Sequence, residues 1–213
     1  MITSVAAIDG PRPFALDFIR HWEDGGATDP NATHSLDPVD NGNWTGGKQG
    51  LGTLVGSNHG VTAAALALHR GVPAASITRA TMHTLTVDEA ADIALALFFK
   101  ADHLDLLPWN RVTASVFDMA WGAGPGTAIK LLQRLVGVAD DGQAGAASAA
   151  AAARWYGLLG EGPAARAYAK ARNDYYDRII AARPANAKYR NGWRARSAYY
   201  TPGDAAGWWA RAA

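Results

Sequence analysis

Apolar side chains recur at helical spacing along most of this chain. After Pro13, the residues Phe14, Phe18 and Trp22 repeat every four positions, and two glycines follow the run. This pattern predicts a helix over about 13–24, because one apolar face and a glycine stop are typical of a short amphipathic helix.

A stronger helical pattern lies farther along the chain. Thr86 and Glu89 have the spacing of a capping box ahead of a strongly apolar run, which predicts a helix over 86–101. Helical patterning also returns around 62–69. Further helices, separated by Gly or Pro, are predicted over 110–121, 126–136, 146–157 and 163–182. The predicted fold class is therefore mainly α.

The stretch from 25 to 60 has no helical period. It is crowded with Gly, Asn, Asp and Thr, which favour turns and short hairpins. An irregular segment of this length inside a domain usually builds a functional site or a small sheet. We therefore expect an irregular excursion with a small β-hairpin directly after the first helix.

Composition narrows the class of protein. At 213 residues and 49% hydrophobic, the chain can bury a core the size of one large domain or two small ones. The absence of cysteine excludes a disulfide framework and a thiolate zinc site. No segment approaches the roughly 18 apolar residues of a membrane span, and the first residues lack the pattern of a Sec-type signal, so we expect neither.

Charge is distributed unevenly along the chain. Residues 1–150 hold 9 Lys and Arg against 15 Asp and Glu, whereas residues 151–213 hold 11 against 4. A basic C-terminal part suits an enzyme that binds an anionic polymer. The same asymmetry also arises if the basic part folds back on an acidic front.

Glu23 is the first candidate for chemistry. It falls in the last turn of its predicted helix beside Asp24, where the helix dipole and the neighbouring charge both disfavour a carboxylate. A carboxyl group that keeps its proton is what a general acid needs. The alternative interpretation is a solvated glutamate at a frayed helix end.

Glycoside hydrolysis generally needs a second carboxylate. The excursion offers Asp29, Asp37 and Asp40, and Thr45 brings a hydroxyl group that could orient water. The DPVDNG run that holds two of these aspartates is also good turn chemistry.

Other candidate side chains are less specific. His34 and His59 lie in the same excursion, but no tight HxH or HExxH spacing indicates a metal site, and we expect neither a metal nor another cofactor. The glycines of 46–52 lack a GxxxxGK[ST] motif, which argues against a nucleotide site. Several tryptophans can either stack on sugar rings or fill the core. They are Trp44, Trp193, Trp208 and Trp209.

With these features in this order, the chain resembles glycoside hydrolase family 108, which comprises phage endolysins and secretion-associated muramidases. The resemblance includes the family's C-terminal peptidoglycan-binding-like region. In that family a first helix ends in a Glu followed by paired glycines, and an Asp- and Gly-rich turn leads through a Thr to a GI or GV step. The corresponding residues here are Glu23, Gly25, Gly26, the DPVDNG run, Thr45 and Gly60 with Val61. Asp24 and extra residues within the excursion depart from this pattern.

The resemblance continues to the C-terminal part of the chain. The run LTVDEAADIALALFF resembles a helix of the family, and FD, LQ, DGxxG and GWxxR landmarks follow in the family's order. They fall at Phe117, Asp118, Leu132, Gln133, Asp141, Gly142, Gly145 and the run 192–196.

The resemblance implies a lysozyme-like helical fold. A catalytic region is expected over 1–107, with a helical peptidoglycan-binding-like region over 108–213 packed on it. The expected reaction is that of an N-acetylmuramidase, which cleaves the β-1,4 bond between N-acetylmuramic acid and N-acetylglucosamine, with Glu23 as general acid. The assisting catalytic residues implied are Asp40, then Asp37, then Thr45. The predicted substrate contacts are Trp44, His59 and Trp193.

Two rival hypotheses remain open at this stage. A lytic transglycosylase would use Glu23 alone, and a non-catalytic peptidoglycan-binding or structural phage protein would keep the fold without turnover. The implied partner is bacterial peptidoglycan, with no nucleic acid and no membrane insertion. We expect a monomer that is made in the bacterial host cytoplasm without a Sec-type signal and reaches the periplasmic cell wall through a holin or a secretion system.

Overall fold

The computed structural model describes residues 10–27 and 30–202, and its first helix is the one that the sequence predicts. Helix α1, Pro11–Phe18, continues as a π-helical turn over Ile19–Glu23. The Asp24 N–H closes this wider turn by donating to the Ile19 carbonyl at 3.0 Å. Such π-turns are rare and are frequent at functional sites.

Threonine caps begin the later helices of the N-terminal part. Thr62, Thr78 and Thr86 each accept a hydrogen bond from the backbone N–H three residues on, which satisfies an N–H that has no partner inside the helix. The helices here are α2 (Pro30–Thr33), α3 (Ala63–Arg70), α4 (Arg79–His83) and α5 (Val87–Ala94), which continues as a π-helical turn over Leu95–Lys100. The helix predicted over 86–101 is therefore confirmed.

The chain forms two compact units. The N-terminal unit comprises Arg12–Leu97, and the C-terminal unit comprises the chain from Phe98 onward together with the residues up to Pro11. In the N-terminal unit the π-helical turn after α1 packs against α5, which in turn contacts α3. Each large apolar side chain buried there stabilises the fold by about 1.5–3 kcal/mol. The fully buried ones are Phe14, Phe18, Ile19, Leu66, Met82, Leu85 and Ile93.

The predicted β-hairpin in the excursion is wrong. In the described residues between α2 and α3, the backbone pairs only at isolated bridges, which join Ser35 to Ser57, Trp44 to Leu54 and Asn58 to Val61. Left-handed glycines such as Gly56, with φ of 86°, interrupt the extended backbone that a ladder of strands needs. The excursion is therefore an irregular loop made of turns and isolated bridges.

Helix α6 is the centre of the C-terminal unit. It packs on α7 and α9, and α10 packs on α9. The helices here are α6 (Arg111–Ala123), α7 (Pro125–Val136), α8 (Ala146–Leu159), α9 (Glu161–Ala182) and α10 (Arg190–Ala198). The first four agree with the predictions, whereas α10 was not predicted. No helix in the described ranges combines the length and the apolar character that crossing a bilayer requires.

A buried charge network joins three of these helices. Asp118 on α6 accepts a hydrogen bond from Arg172 on α9 at 2.7 Å and from Arg196 on α10 at 2.8 Å. Arg172 is 1% exposed and Asp118 is fully buried. Burial raises the pKa of Tyr168 and Tyr200 well above the ordinary value, so both tyrosines stay neutral in the same core.

Gln133 fixes the loop between α7 and α8. Its amide donates to the Asp141 carboxylate at 2.8 Å and to the Ser148 hydroxyl at 3.2 Å, and it accepts from the Gly142 N–H at 2.9 Å. Gln133 is 1% exposed. The LQ and DGxxG landmarks are therefore joined by hydrogen bonds around the buried Gln133 amide.

Candidate active site

Glu23 ends the π-helical turn after α1, and its half-buried side chain lies against Gly60. A Cβ atom built on Gly60 would be 2.9 Å from Glu23 Cγ and 3.0 Å from its Cδ and Oε2. The first separation is shorter than real Cβ contacts, and the other two are shorter than nine in ten of them. A glycine at position 60 is therefore required for the Glu23 carboxyl group to occupy its observed place.

His59 and Gly60 are the central residues of a tight turn. Their φ angles are 50° and 74°, and the Asn58 N–H and Val61 N–H donate to each other's carbonyl oxygens at 3.1 and 2.8 Å. Positive φ at both central residues is the mark of a type I′ turn. This conformation is uncommon for a residue with a side chain, so His59 must be held there by its surroundings.

Asn58 anchors this turn to the rest of the N-terminal unit. Its side chain is fully buried, donates to the Met82 carbonyl at 3.0 Å and accepts from the Thr33 hydroxyl at 2.6 Å. The turn is therefore fixed on one side by α4 and on the other by α2.

Asp24 contacts the same turn. Its Oδ1 atom lies 2.8 Å from His59 Nδ1, and the side chains are 3% and 10% exposed. An ionised carboxylate only accepts hydrogen bonds, so His59 Nδ1 carries the proton in this pair. The Asp24–His59 contact and the Glu23–Gly60 contact stand next to each other, and each joins a residue at the end of the π-helical turn to a residue of the tight turn.

A cleft opens beside this pair. Its volume is about 370 Å³, at the lower end of the range for ligand pockets. It is lined by Arg20, Asp24, Gly26, Ala27, His59 and Val87. The predicted substrate contact His59 therefore borders an open cleft and lies next to Gly60, against which Glu23 packs.

Asp37 and Asp40 lie in exposed turns of the excursion. Asp37 Oδ1 accepts from the Val39 N–H at 3.0 Å, and Asp40 Oδ1 accepts from the Gly42 N–H at 2.8 Å. Both carboxylates thus stabilise their own turns, in line with the interpretation of this run as turn chemistry. Their catalytic role stays a prediction.

Trp44 and Thr45 follow in the same excursion. Trp44 donates its indole N–H to the Pro38 carbonyl at 2.9 Å, and the buried Thr45 hydroxyl accepts from the Thr53 N–H at 2.9 Å. Both side chains hold the excursion together in the described structure. Their contact with substrate or water stays a prediction.

Trp193 lies in the C-terminal unit, where it packs among aromatic rings. Its indole stacks on Tyr176 with centroids 4.9 Å apart and lies 5.4 Å from the ring of Tyr189. Three other candidates, Asp29, Trp208 and Trp209, lie outside the described residues. Within residues 10–27 and 30–202, no group of three His, Asp or Glu side chains is arranged to hold a metal ion.

Asp24 is the site residue that sequence reasoning missed. In the sequence it counted as a charge beside Glu23 and as a departure from the family pattern before the paired glycines, with no role of its own. Its partner His59 is 35 residues away in the chain, so no local spacing could have revealed the pair. The one usable signal was an acidic residue directly after the candidate general acid.

Comparison with known proteins gives the site its family context. The family described as Glycosyl hydrolase 108 matches residues 16–124, which include Glu23, Asp24, His59 and Gly60, and the family described as Predicted Peptidoglycan domain matches residues 127–198. No curated protein is significantly similar to the chain in sequence. Among solved structures, Brucella abortus SagA is similar with a TM-score of 0.59 and 22% identity, over 90% of this chain and 97% of that one, which shows a shared fold. The chain therefore belongs to the glycosyl hydrolase 108 family and is a peptidoglycan hydrolase whose C-terminal part is a predicted peptidoglycan domain.

Proposed function

We propose that this glycoside hydrolase is an N-acetylmuramidase that cleaves the β-1,4 bond between N-acetylmuramic acid and N-acetylglucosamine, with Glu23 as general acid. The observation that carries the proposal is the half-buried Glu23 carboxyl group at the end of the π-helical turn, packed against the backbone of Gly60. No other glutamate occurs in the first 88 residues.

The placement of Glu23 suits proton donation. Gly60 presents no side chain at this position, so the Glu23 carboxyl group packs against the tight turn and is held at the end of the π-helical turn. A general acid of this kind protonates the glycosidic oxygen as the bond breaks, and the sugar develops the charge of an oxocarbenium ion.

A second carboxylate would activate water or stabilise that charge. Asp40 is our first choice and Asp37 our second, as the resemblance implies. A Cβ atom on Gly42 would lie 2.8 Å from Thr62 Cγ2, so the turn that Asp40 caps packs against the start of α3, two residues beyond Gly60. This packing supports Asp40 as the assisting residue.

The alternative reaction is that of a lytic transglycosylase. In that mechanism Glu23 handles both proton steps, and a hydroxyl of the sugar itself closes an anhydro ring. This mechanism needs neither Asp37 nor Asp40. The hydrogen bonds that both carboxylates accept from their own turns favour this alternative, because they give each aspartate a structural role outside the chemistry.

The decisive experiment compares the wild type with Glu23→Gln in turbidity clearing of purified Gram-negative sacculi. Loss of a general acid should slow clearing roughly a hundred-fold or more. Glu89→Gln is the matched control, because Glu89 is a glutamate of the same unit that pairs with Arg70, and it should clear at the wild-type rate. Clearing by Glu23→Gln at the wild-type rate, with folding verified by circular dichroism, would refute the assignment.

Mass spectrometry of the released fragments separates the two reactions. Reducing N-acetylmuramic acid ends indicate hydrolysis, whereas anhydro ends indicate transglycosylation. Asp40→Asn keeps the side-chain oxygen that accepts from its own turn but removes the charge, so it should slow release by the hydrolytic route and leave a transglycosylase unaffected. Asp37→Asn tests the second choice in the same way.

A further inference from the structure

We propose that Asp24 and His59 are positioning residues for Glu23, and that their buried contact fixes the tight turn whose Gly60 backbone holds the Glu23 carboxyl group in place. This inference rests on the proposed role of Glu23 as general acid. It assigns a function to the residue that departs from the family pattern.

Two consecutive residues of one segment contact two consecutive residues of the other. Asp24 reaches His59 at 2.8 Å, while the preceding residue, Glu23, lies against the following residue, Gly60. A shift of the tight turn would therefore move Gly60, and with it the backbone against which the Glu23 side chain packs. The Asp24–His59 pair is a buried side-chain link between the two segments that bear directly on Glu23.

The backbone of His59 explains why a link is needed. With φ of 50°, His59 occupies the left-handed region, which is unfavourable for a residue with a Cβ atom. The buried anchoring of Asn58 and a favourable side-chain contact of His59 together offset this strain. The contact with Asp24 is suited to do so, because both partners are nearly excluded from solvent and the bond involves a charged acceptor.

The chemistry of the pair fixes one tautomer of the imidazole. The Asp24 carboxylate accepts from Nδ1–H, which leaves Nε2 as an acceptor when the ring is neutral. The ring then borders the cleft that Arg20 and Val87 also line. Asp24 thus fixes the orientation of the His59 ring, and through this ring it holds the tight turn.

The test measures kcat and KM on solubilised peptidoglycan for variants of the pair. Removing the contact by Asp24→Ala or His59→Gly should lower kcat about 10- to 100-fold, because a misplacement of about 1 Å can reduce the rate by this factor. For Asp24→Ala, KM should change less than about two-fold, since Asp24 is not a proposed substrate contact. His59→Gly also removes a predicted substrate contact, so its KM should rise in addition to the loss of kcat. His59→Gly keeps a residue suited to positive φ, so its loss of kcat reports the contact and not backbone strain.

A conservative variant and a matched control complete the test. Asp24→Asn keeps a side-chain oxygen that accepts from Nδ1–H, so it should retain most of the wild-type kcat. Glu89→Gln removes half of the Arg70–Glu89 ion pair, another side-chain link in the same unit, and should leave kcat unchanged. A wild-type kcat in Asp24→Ala, or an equal loss in Asp24→Asn and Asp24→Ala, would overturn the proposal.

Two further readouts make the outcome unambiguous. Nitrogen-15 NMR of the wild-type protein should show that His59 Nδ1 is protonated, and a neutral ring with the proton on Nε2 would contradict the geometry. Glu23→Gln is measured alongside. If Glu23→Gln is fully active, the proposed function fails; if it is inactive while Asp24→Ala and His59→Gly are fully active, the positioning role alone fails.

Discussion

Gly60 is the residue on which the position of Glu23 depends most directly. It needs a positive φ of 74° for the tight turn and an empty Cβ position for the glutamate. These two requirements are independent, because one concerns the backbone and the other concerns contact across 37 residues of sequence. Each would be violated by a single methyl group.

Gly60→Ala should therefore slow sacculus clearing about a hundred-fold, because it displaces the Glu23 side chain as well as straining the turn. Gly71→Ala is the matched control: Gly71 ends α3 with φ of 66°, but no atom lies within 4 Å of its Cβ position. Both variants should lose about 1–2 kcal/mol of folding free energy in urea unfolding. Equal clearing rates for the two variants would show that the contact with Glu23 does not matter.

The structural position of a residue was predictable from the sequence where it depends on neighbouring residues. Glu23 stands out because it ends an amphipathic helix and has no competing glutamate nearby, and Thr86 stands out because capping depends on the next three residues. Asp24 and His59 gave no such signal, since their roles arise only when distant segments meet. The left-handed His59 was equally hidden, because Asn-Gly and Asp-Gly are the usual sequences of this turn.

At the scale of elements, helical periodicity predicted the long helices well and the irregular segments poorly. Helices α7 to α9 each bury one side, and α6 is buried all round over residues 111–120. Apolar patterning in the sequence predicts both kinds of helix. Helix α10 is rich in arginine and has little apolar character, and one of its attachments is the Arg196–Asp118 contact across the unit. The hairpin was predicted from turn residues alone, but their glycines are too closely spaced for strands to form.

The C-terminal residues on which the family resemblance rests make contacts that stabilise the fold of their unit. Asp118 of the FD pair links α6 to α9 and α10, and Trp193 of the GWxxR run stacks on Tyr176. Gln133 and Asp141 close the loop after α7. These residues explain how the unit holds its shape, so ligand contacts in it are better sought among exposed side chains.

Asp118→Asn should destabilise the C-terminal unit by about 3–5 kcal/mol, because it leaves the buried charge of Arg172 without a compensating carboxylate. Asp177→Asn is the control, since Asp177 pairs with Arg194 while both side chains are about half exposed, at 47% and 52%. An exposed pair of this kind contributes at most about 1 kcal/mol. Urea unfolding followed by circular dichroism measures both; similar midpoints for the two variants would contradict a stabilising network.

At the scale of the whole molecule, the basic C-terminal part keeps exposed positive charge after its own ion pairs are formed. Acidic residues of the C-terminal unit neutralise several cations, such as Arg134 beside Asp140 and Lys170 beside Asp174. Other exposed cations make no ion pair within the described part of their unit. In the basic C-terminal part they are Arg154, Arg166, Arg178, Arg183 and Lys188. This surplus favours an electrostatic role toward the anionic groups of peptidoglycan.

Binding of an inactive Glu23→Gln protein to sacculi should therefore weaken as salt rises. Exposed charges interact over about 10 Å at 0.1 M salt but over only about 3 Å at 1 M, so co-sedimentation should fall steeply between these concentrations.

Adding Arg178→Gln or Arg183→Gln should weaken binding about two- to five-fold at low salt, the range expected for one exposed charge. Arg134→Gln lowers the net charge equally but removes a cation that Asp140 already neutralises, so it should have a smaller effect. Salt-independent sedimentation would instead mean that the wall is bound through uncharged contacts, and equal losses in all three variants would mean that net charge matters more than the unpaired arginines.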